Sequence, residues 1–193
     1  MNLSIPQDAF SDGQVRSKLW LANCLNEWSH KYFDVNENYS LTWYGSWVGL
    51  GPFLLLSLSK IKFTEVNLIE IDTTSLETSK KVLDHWTFSG VTVNAIFADM
   101  NTFVPESTEQ KHLFVNTACE HVIDDAWLSK IPPGAQILLQ STNMVHHEHV
   151  NLSNNLEEFK SKTQHLCTIQ ESAQMDVSYG TMAFSRYMLL GTK

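Results

Sequence analysis

Strand-like and helix-like patterns alternate along most of this 193-residue chain, and this alternation limits its possible folds more than any other feature. Apolar residues at helical spacing predict a first helix from Ser11 to Phe33. β-rich and helix-like segments then follow one another. Because strands separated by helices form βαβ units, the pattern predicts an α/β domain with a mainly parallel sheet.

The later elements follow from the same patterns. Strands are expected over 39–44, 66–72, 91–98, 112–116 and 135–140, and helices over 53–59, 75–86, 124–129 and 156–162. Two last strands, 167–175 and 185–191, have only a loop between them. A parallel crossover needs about a dozen residues or more, so this pair is expected to form an antiparallel C-terminal hairpin.

Charge and composition narrow the class of partner. The formal net charge is −8 and 43% of the residues are apolar, with no stripe of lysine and arginine. Such a chain can bury a core, but it gains nothing from the counterion release that drives binding to phosphate backbones. We therefore expect a small-molecule substrate and no free nucleic acid. The oligomeric state stays open.

The N-terminal segment and the cysteines indicate a compartment. Residues 1–6 lack the basic and apolar regions of a signal peptide, and the longest apolar run, 53–58, is too short to cross a bilayer. Cys24, Cys119 and Cys167 are far apart, as expected for free thiols in a reducing compartment. We expect a cytoplasmic protein without membrane association.

Residues suited to ligand binding follow the first two strands. In an open parallel sheet, ligands bind at the carboxyl ends of the strands. Gly45, Gly49 and Gly51 allow a sharp turn into a helix, whose N-terminal amides can hold an anion. Glu70 ends the second strand, where an acid can accept hydrogen bonds from both hydroxyls of a ribose. Asp72 is interpreted as a solvated or helix-capping acid, and Thr74 or Ser75 as a possible cap of the helix that follows.

The third strand ends in Asp99 and Met100. An acid at this place can accept a hydrogen bond from an adenine amino group, and a methionine can pack on the ring. Three consecutive strand ends therefore indicate one nucleoside-containing ligand.

These segments resemble class I S-adenosylmethionine-dependent methyltransferases over roughly residues 39–193. The matching segments are the glycine loop 45–51, the strand ends 69–72 and 98–100, the fourth-strand segment 114–122 and the Pro-Gly turn with its strand, 132–139. The resemblance implies a Rossmann-like methyltransferase fold: a mostly parallel seven-stranded sheet, helices on both faces and an antiparallel C-terminal hairpin. It divides the chain into a helical segment covering the site, 1–38, and a methyltransferase-like α/β domain, 39–193.

The resemblance also implies the cofactor and the site. S-adenosylmethionine is the expected cofactor, and His121 and Glu120 are the candidate catalytic residues. For His121, capping and packing after the fourth strand is an equal alternative. The expected cofactor-binding residues are Gly45, Trp47, Gly49, Glu70, Ile71, Asp99, Met100 and Asn116.

Two tryptophans depart from the family pattern. Trp43 stands where the family has an acid, and Trp47 stands where it has the middle glycine. Trp43 is interpreted as a core residue, and Trp47 either as core or as part of an aromatic wall. Because of these departures, two alternatives to a methyltransferase stay open. The protein is either a non-catalytic member of the fold that binds the cofactor or a partner protein, or an S-adenosylmethionine enzyme that does not methylate.

The run His146-His147-Glu148-His149 follows the fifth strand. Three imidazoles and a carboxylate can bind a divalent metal. Since adjacent side chains rarely point at one ion, we expect a solvated loop and no metal. A substrate contact is the second alternative.

Overall fold

A computed structural model describes residues 5–87, 89–106, 111–180 and 182–193. The helices are α1 (Asp12–Tyr32), α2 (Leu50–Leu58), α3 (Thr73–Thr87), α4 (Ala126–Ser129) and α5 (Leu156–Thr163), with a 3-10 turn at Cys119–His121. The strands are β1 (Asn38–Tyr44), β2 (Lys62–Glu70), β3 (Thr92–Phe97), β4 (Lys111–Asn116), β5 (Gln136–Thr142), β6 (Thr168–Tyr179) and β7 (Met182–Thr192).

The expected fold class is confirmed by the sheet. Its seven strands lie in the order β3-β2-β1-β4-β5-β7-β6. β1, β2 and β3 pair in parallel, whereas β7 pairs antiparallel with both β5 and β6. Among the described helices, none is long and apolar enough to cross a membrane.

The chain divides into two compact units. The first contains 1–100 and 108–113, and the second contains 101–107 and 114–193. In the first unit, the hydroxyl of Ser11 caps α1 by accepting a hydrogen bond from the Gln14 amide at 3.4 Å. The apolar stripe of α1 is buried, including Leu21, Leu25 and Trp28, and α1 packs against α2.

The three parallel strands of the first unit have one apolar and one polar row. Leu41, Val66 and Val93 lie side by side in register and are buried. On the next register position, the Asn94 amide donates to Asn67 Oδ1 at 2.9 Å. The polar row explains why β2 begins at Lys62, four residues before its expected start at 66: a strand with one polar row contains no continuous apolar run.

The second unit contains the C-terminal hairpin, whose strands are longer than expected. β6 continues to Tyr179 and β7 begins at Met182, so two residues connect the strands where the sequence predicted about nine. Val177 and Phe184 pair within the ladder, and both residue types favour strands. Gly180 has a φ of 54°, the left-handed conformation that tight hairpin turns require.

Candidate functional site

The loop between β1 and α2 has left-handed backbone at three alternate residues. The φ angles of Gly45, Trp47 and Gly49 are 62°, 45° and 83°. A Cβ on Gly49 would lie 2.9 Å from the Cα of Ser79, so a side chain has no room there. The loop therefore makes the sharp turn expected of a glycine loop, although a tryptophan occupies one of the three positions.

The carboxylate of Glu70 holds this loop against the end of β2. Its Oε2 accepts a hydrogen bond from the Trp47 amide at 2.8 Å. Its Oε1 accepts from the amides of Ile71 at 2.9 Å and Asp72 at 3.1 Å. An ionised carboxylate has about four acceptor positions, so one remains for a further donor. Glu70 is thus a fixed, half-buried acceptor at a strand end.

The ends of β2 and β3 also present apolar surface. Ile71 is 61% exposed and Phe97 is 62% exposed, and the Ala98 amide donates to the Glu70 carbonyl at 3.1 Å. Asp99 and Met100 follow, both half-buried. The first unit therefore brings an acid, a methionine and two exposed apolar side chains to the carboxyl ends of adjacent strands.

Asp72 caps α3, which is one of the two roles expected for it; the helix begins at Thr73, so Thr74 and Ser75 lie within its first turn. The Asp72 Oδ1 accepts a hydrogen bond from the Ser75 amide in the first turn of α3 at 2.7 Å. This hydrogen bond lowers the pKa of the Asp72 carboxyl. The two acids at the end of β2 therefore have different partners: Asp72 stabilises α3, and Glu70 holds the glycine loop.

Trp43 lies in the core, as the sequence predicted. It is 1% exposed. A Cβ added to Gly51 in the first turn of α2 would overlap its indole ring. The strand position where the resemblance expects an acid is therefore filled by a ring that packs against the helix backbone.

In the second unit, the turn after β4 places the candidate catalytic residues. Asn116 is fully buried, and its Oδ1 accepts a hydrogen bond from the Ala118 amide at 2.8 Å. The 3-10 turn Cys119–His121 follows directly. Glu120 is 2% exposed and lies 3.6 Å from a guanidinium nitrogen of Arg186.

The loop after β5 lies against this turn. The backbone carbonyl of Glu120 accepts hydrogen bonds from the amides of Val150 at 2.9 Å and Asn151 at 3.1 Å. The rings of His121 and His149 are 4.8 Å apart and nearly perpendicular. Burial lowers the pKa of His121, an effect that the charge of Glu120 partly offsets. The His121 imidazole is therefore neutral at neutral pH.

Comparison with known proteins identifies the fold through structure alone. No family model matches the chain, and no curated protein matches it. An S-adenosylmethionine-dependent methyltransferase from Leishmania major superposes with a TM-score of 0.67 at 16% identity, covering 97% of this chain and 78% of that chain. The N-methyltransferase NodS from Bradyrhizobium japonicum, in complex with S-adenosyl-L-homocysteine, gives 0.67 at 11% identity, with coverages of 98% and 93%.

This chain has the fold of class I S-adenosylmethionine-dependent methyltransferases. Magnesium protoporphyrin IX methyltransferase from Synechocystis, with S-adenosyl-L-homocysteine bound, is a further match. Its TM-score is 0.64 at 8% identity, with 97% of this chain and 89% of that chain covered.

In this methyltransferase fold, the predicted cofactor-binding and catalytic residues fall into two groups. Seven lie at the strand ends of the first unit: Gly45, Trp47, Gly49, Glu70, Ile71, Asp99 and Met100. In the second unit, Asn116 is the last residue of β4, and Glu120 and His121 lie in the 3-10 turn that follows it.

Sequence reasoning missed two residues near these groups. The predicted third strand, 91–98, includes Phe97. An aromatic residue two positions before Asp99 could have indicated an apolar surface beside that acid. His149 was grouped with its sequence neighbours, whereas the structure places it beside His121. Two surface clefts of the second unit, of about 740 and 560 Å³, include none of the predicted site residues.

Proposed function

We propose that this protein is an S-adenosylmethionine-dependent methyltransferase that acts on a small molecule. The fold supports the reaction class. The observation that carries the proposal is the Glu70 carboxylate, which is fixed at the end of β2 by three backbone amides and keeps one acceptor position. A ribose hydroxyl is the expected donor for that position.

In this proposal the strand ends of the first unit bind the cofactor. Asp99 accepts a hydrogen bond from the adenine amino group, and Ile71 and Met100 pack on the ring. The backbone at Gly45, Trp47 and Gly49 lies along the methionine half of the cofactor. The exposed side chain of Ile71 fits this role because a bound ring would remove it from water.

The catalytic part of the proposal concerns Asn116, Glu120 and His121. The cofactor supplies an activated methyl group, so positioning and desolvation of the acceptor account for much of the rate. A neutral His121 can remove a proton from the acceptor. Asn116 also belongs to the cofactor-binding set, and its buried amide shapes the turn that presents the other two residues.

Calorimetry tests the cofactor assignment. We expect S-adenosylmethionine and S-adenosyl-L-homocysteine to bind and a nicotinamide dinucleotide not to bind. Glu70→Gln should weaken binding about tenfold to a hundredfold, because a hydrogen bond to a charged acceptor is lost. Glu77→Gln is the matched control, since Glu77 lies on the surface of α3 with a 72% exposed side chain.

The outcomes separate the alternatives. If neither S-adenosylmethionine nor S-adenosyl-L-homocysteine gives a heat of binding, the proposal is wrong. Binding of both ligands without methyl transfer to any member of a small-molecule panel would favour a non-catalytic member, for which the buried Trp43 in the acid position is the structural argument. Consumption of the cofactor without a methylated product would favour a different reaction.

A further inference from the structure

One carboxylate and two imidazoles cluster in the second unit, between the 3-10 turn and the loop after β5. One oxygen of Glu120 and one ring nitrogen each of His121 and His149 lie within 4.8 Å of one another. The sequence predicted no metal site here. We propose that Glu120, His121 and His149 bind a divalent transition-metal ion of the zinc class.

The buried carboxylate of Glu120 is the first argument. Its side chain is 3% exposed, and its Oε1 lies 3.6 Å from Arg186, too far for a hydrogen bond. Its Oε2 is buried, and within the described part of the chain no hydrogen-bond donor reaches it. A buried carboxylate oxygen without a partner is costly. A metal ion would provide the missing partner.

The hydrogen bond made by His149 is the second argument. Its Nδ1 lies 2.7 Å from the carbonyl oxygen of Met144. A carbonyl only accepts hydrogen bonds, so Nδ1 is the donor and Nε2 is the nitrogen left to face an ion. Histidines that bind metals typically donate their other ring nitrogen to a carbonyl or a carboxylate in this way. A hydrogen bond to the backbone of Glu148 similarly holds the ring of His121.

The backbone fixes the three side chains relative to one another. The amides of Val150 and Asn151 both donate to the Glu120 carbonyl, which ties the residue after His149 to the 3-10 turn. Ligands at about 2.1 Å from zinc lie about 3.4 Å from each other. Atoms already within 4.8 Å therefore reach this geometry by side-chain adjustments of about 1 Å.

The donor set selects the class of ion. Two imidazoles and one carboxylate are a known ligand set for zinc, and they leave a position for water or for an oxygen of another molecule. Magnesium and calcium prefer oxygen ligands throughout. The neighbouring group His146, His147 and Glu148 is a weaker candidate because His147 is 81% exposed and the three residues are adjacent.

The proposal concerns metal binding alone and stands whether or not the protein transfers methyl groups. An imidazole that holds an ion cannot also accept a proton, so the proton-accepting role proposed above for His121 applies only to the metal-free protein. The test uses the full chain without a histidine tag, treated with a chelator and desalted. Zn²⁺ is titrated by calorimetry, Co²⁺ by its visible absorption, and Mg²⁺ serves as the comparison ion. We expect one saturable Zn²⁺ site, Co²⁺ bands typical of low coordination number, and no comparable Mg²⁺ binding.

Variants assign the site. His149→Ala and His121→Ala should each weaken Zn²⁺ binding at least tenfold, and His147→Ala, in the same loop, should leave it unchanged. Glu120→Gln should also weaken binding; thermal unfolding without metal shows whether that variant folds. If Zn²⁺ does not bind saturably, if Mg²⁺ binds as well as Zn²⁺, or if His147→Ala weakens binding more than His149→Ala, the proposal is overturned.

Discussion

At the residue scale, Trp47 and Glu70 determine the conformation of the glycine loop. The contact between them uses the Trp47 amide and a Glu70 carboxylate oxygen, at 2.8 Å. The indole takes no part in this hydrogen bond, so any residue that tolerates a positive φ can make it. Trp47, at a φ of 45°, is the only non-glycine residue with positive φ in the described part of the chain.

A pair of substitutions at Trp47 measures this backbone strain. Left-handed backbone costs roughly 1–2 kcal/mol for a residue with a Cβ. Trp47→Gly and Trp47→Ala both remove the indole, so their difference reports the backbone alone. We expect the glycine variant to be more stable by about 1 kcal/mol in urea unfolding, although glycine is usually the less stable of the two. The opposite order would show that position 47 is not strained.

His112 gives a prediction about stability and pH. Burial lowers its pKa to about 4, and its Nε2 lies 2.8 Å from the hydroxyl of Thr42. The unfolded chain takes up this proton near pH 6.5, whereas the folded protein takes it up only near pH 4. As the pH falls between these values, the unfolded state binds more protons and stability decreases.

The measurement compares wild type with His112→Asn, which keeps a polar group but does not titrate. Wild type should lose about 2 kcal/mol more than the variant in free energy of unfolding between neutral pH and roughly pH 4.5. The change in free energy of unfolding is taken for each protein relative to its own value at neutral pH. Any loss of stability caused by the substitution itself therefore cancels. Parallel pH profiles would mean that His112 takes up its proton equally readily in the folded and unfolded states, and a gain in wild-type stability as the pH falls would mean that it is already protonated in the folded protein.

At the element scale, the packing of β1 against α2 depends on Trp43 and Gly51. A Cβ at Gly51 would overlap the indole ring of Trp43, so Gly51→Ala should destabilise the protein by about 1–3 kcal/mol. Trp43→Phe removes the ring atoms that would be overlapped. Gly51→Ala should therefore cost much less in the Trp43→Phe background, with a coupling free energy of about 1 kcal/mol or more in denaturant unfolding. Additive effects would disprove this contact.

The elements also show where sequence reasoning succeeds and where it stops. The spacing of Leu21, Leu25 and Trp28 predicted α1 because local periodicity decides which face of a helix is buried. The extra residues of β6 and β7 were missed because cross-strand pairing, such as that of Val177 with Phe184, extended them beyond the local pattern.

The same distinction applies to the candidate site. The position of Glu70 followed from the end of one strand, a local feature. The approach of His149 to Glu120 depends on hydrogen bonds between segments about 30 residues apart, from Val150 and Asn151 to the Glu120 carbonyl. A sequence pattern alone carries no information about that contact.

At the scale of the whole molecule, the charge balance predicts which substrates the protein rejects. With 13 lysines and arginines against 21 acids, the net charge is −8, so approach to a phosphate backbone is repulsive and releases few counterions. We expect labelled single-stranded RNA and duplex DNA to show no saturable anisotropy change at protein concentrations up to about 10⁻⁵ M at physiological salt. A lower salt concentration is the more demanding condition, because electrostatic binding strengthens steeply as salt is removed. A lysine-rich peptide serves as the positive control, since its binding should change the anisotropy of both labelled nucleic acids. Saturable binding that weakens as salt rises would show that local basic surface outweighs the net charge, and nucleic acid would then replace a small molecule as the proposed methyl acceptor.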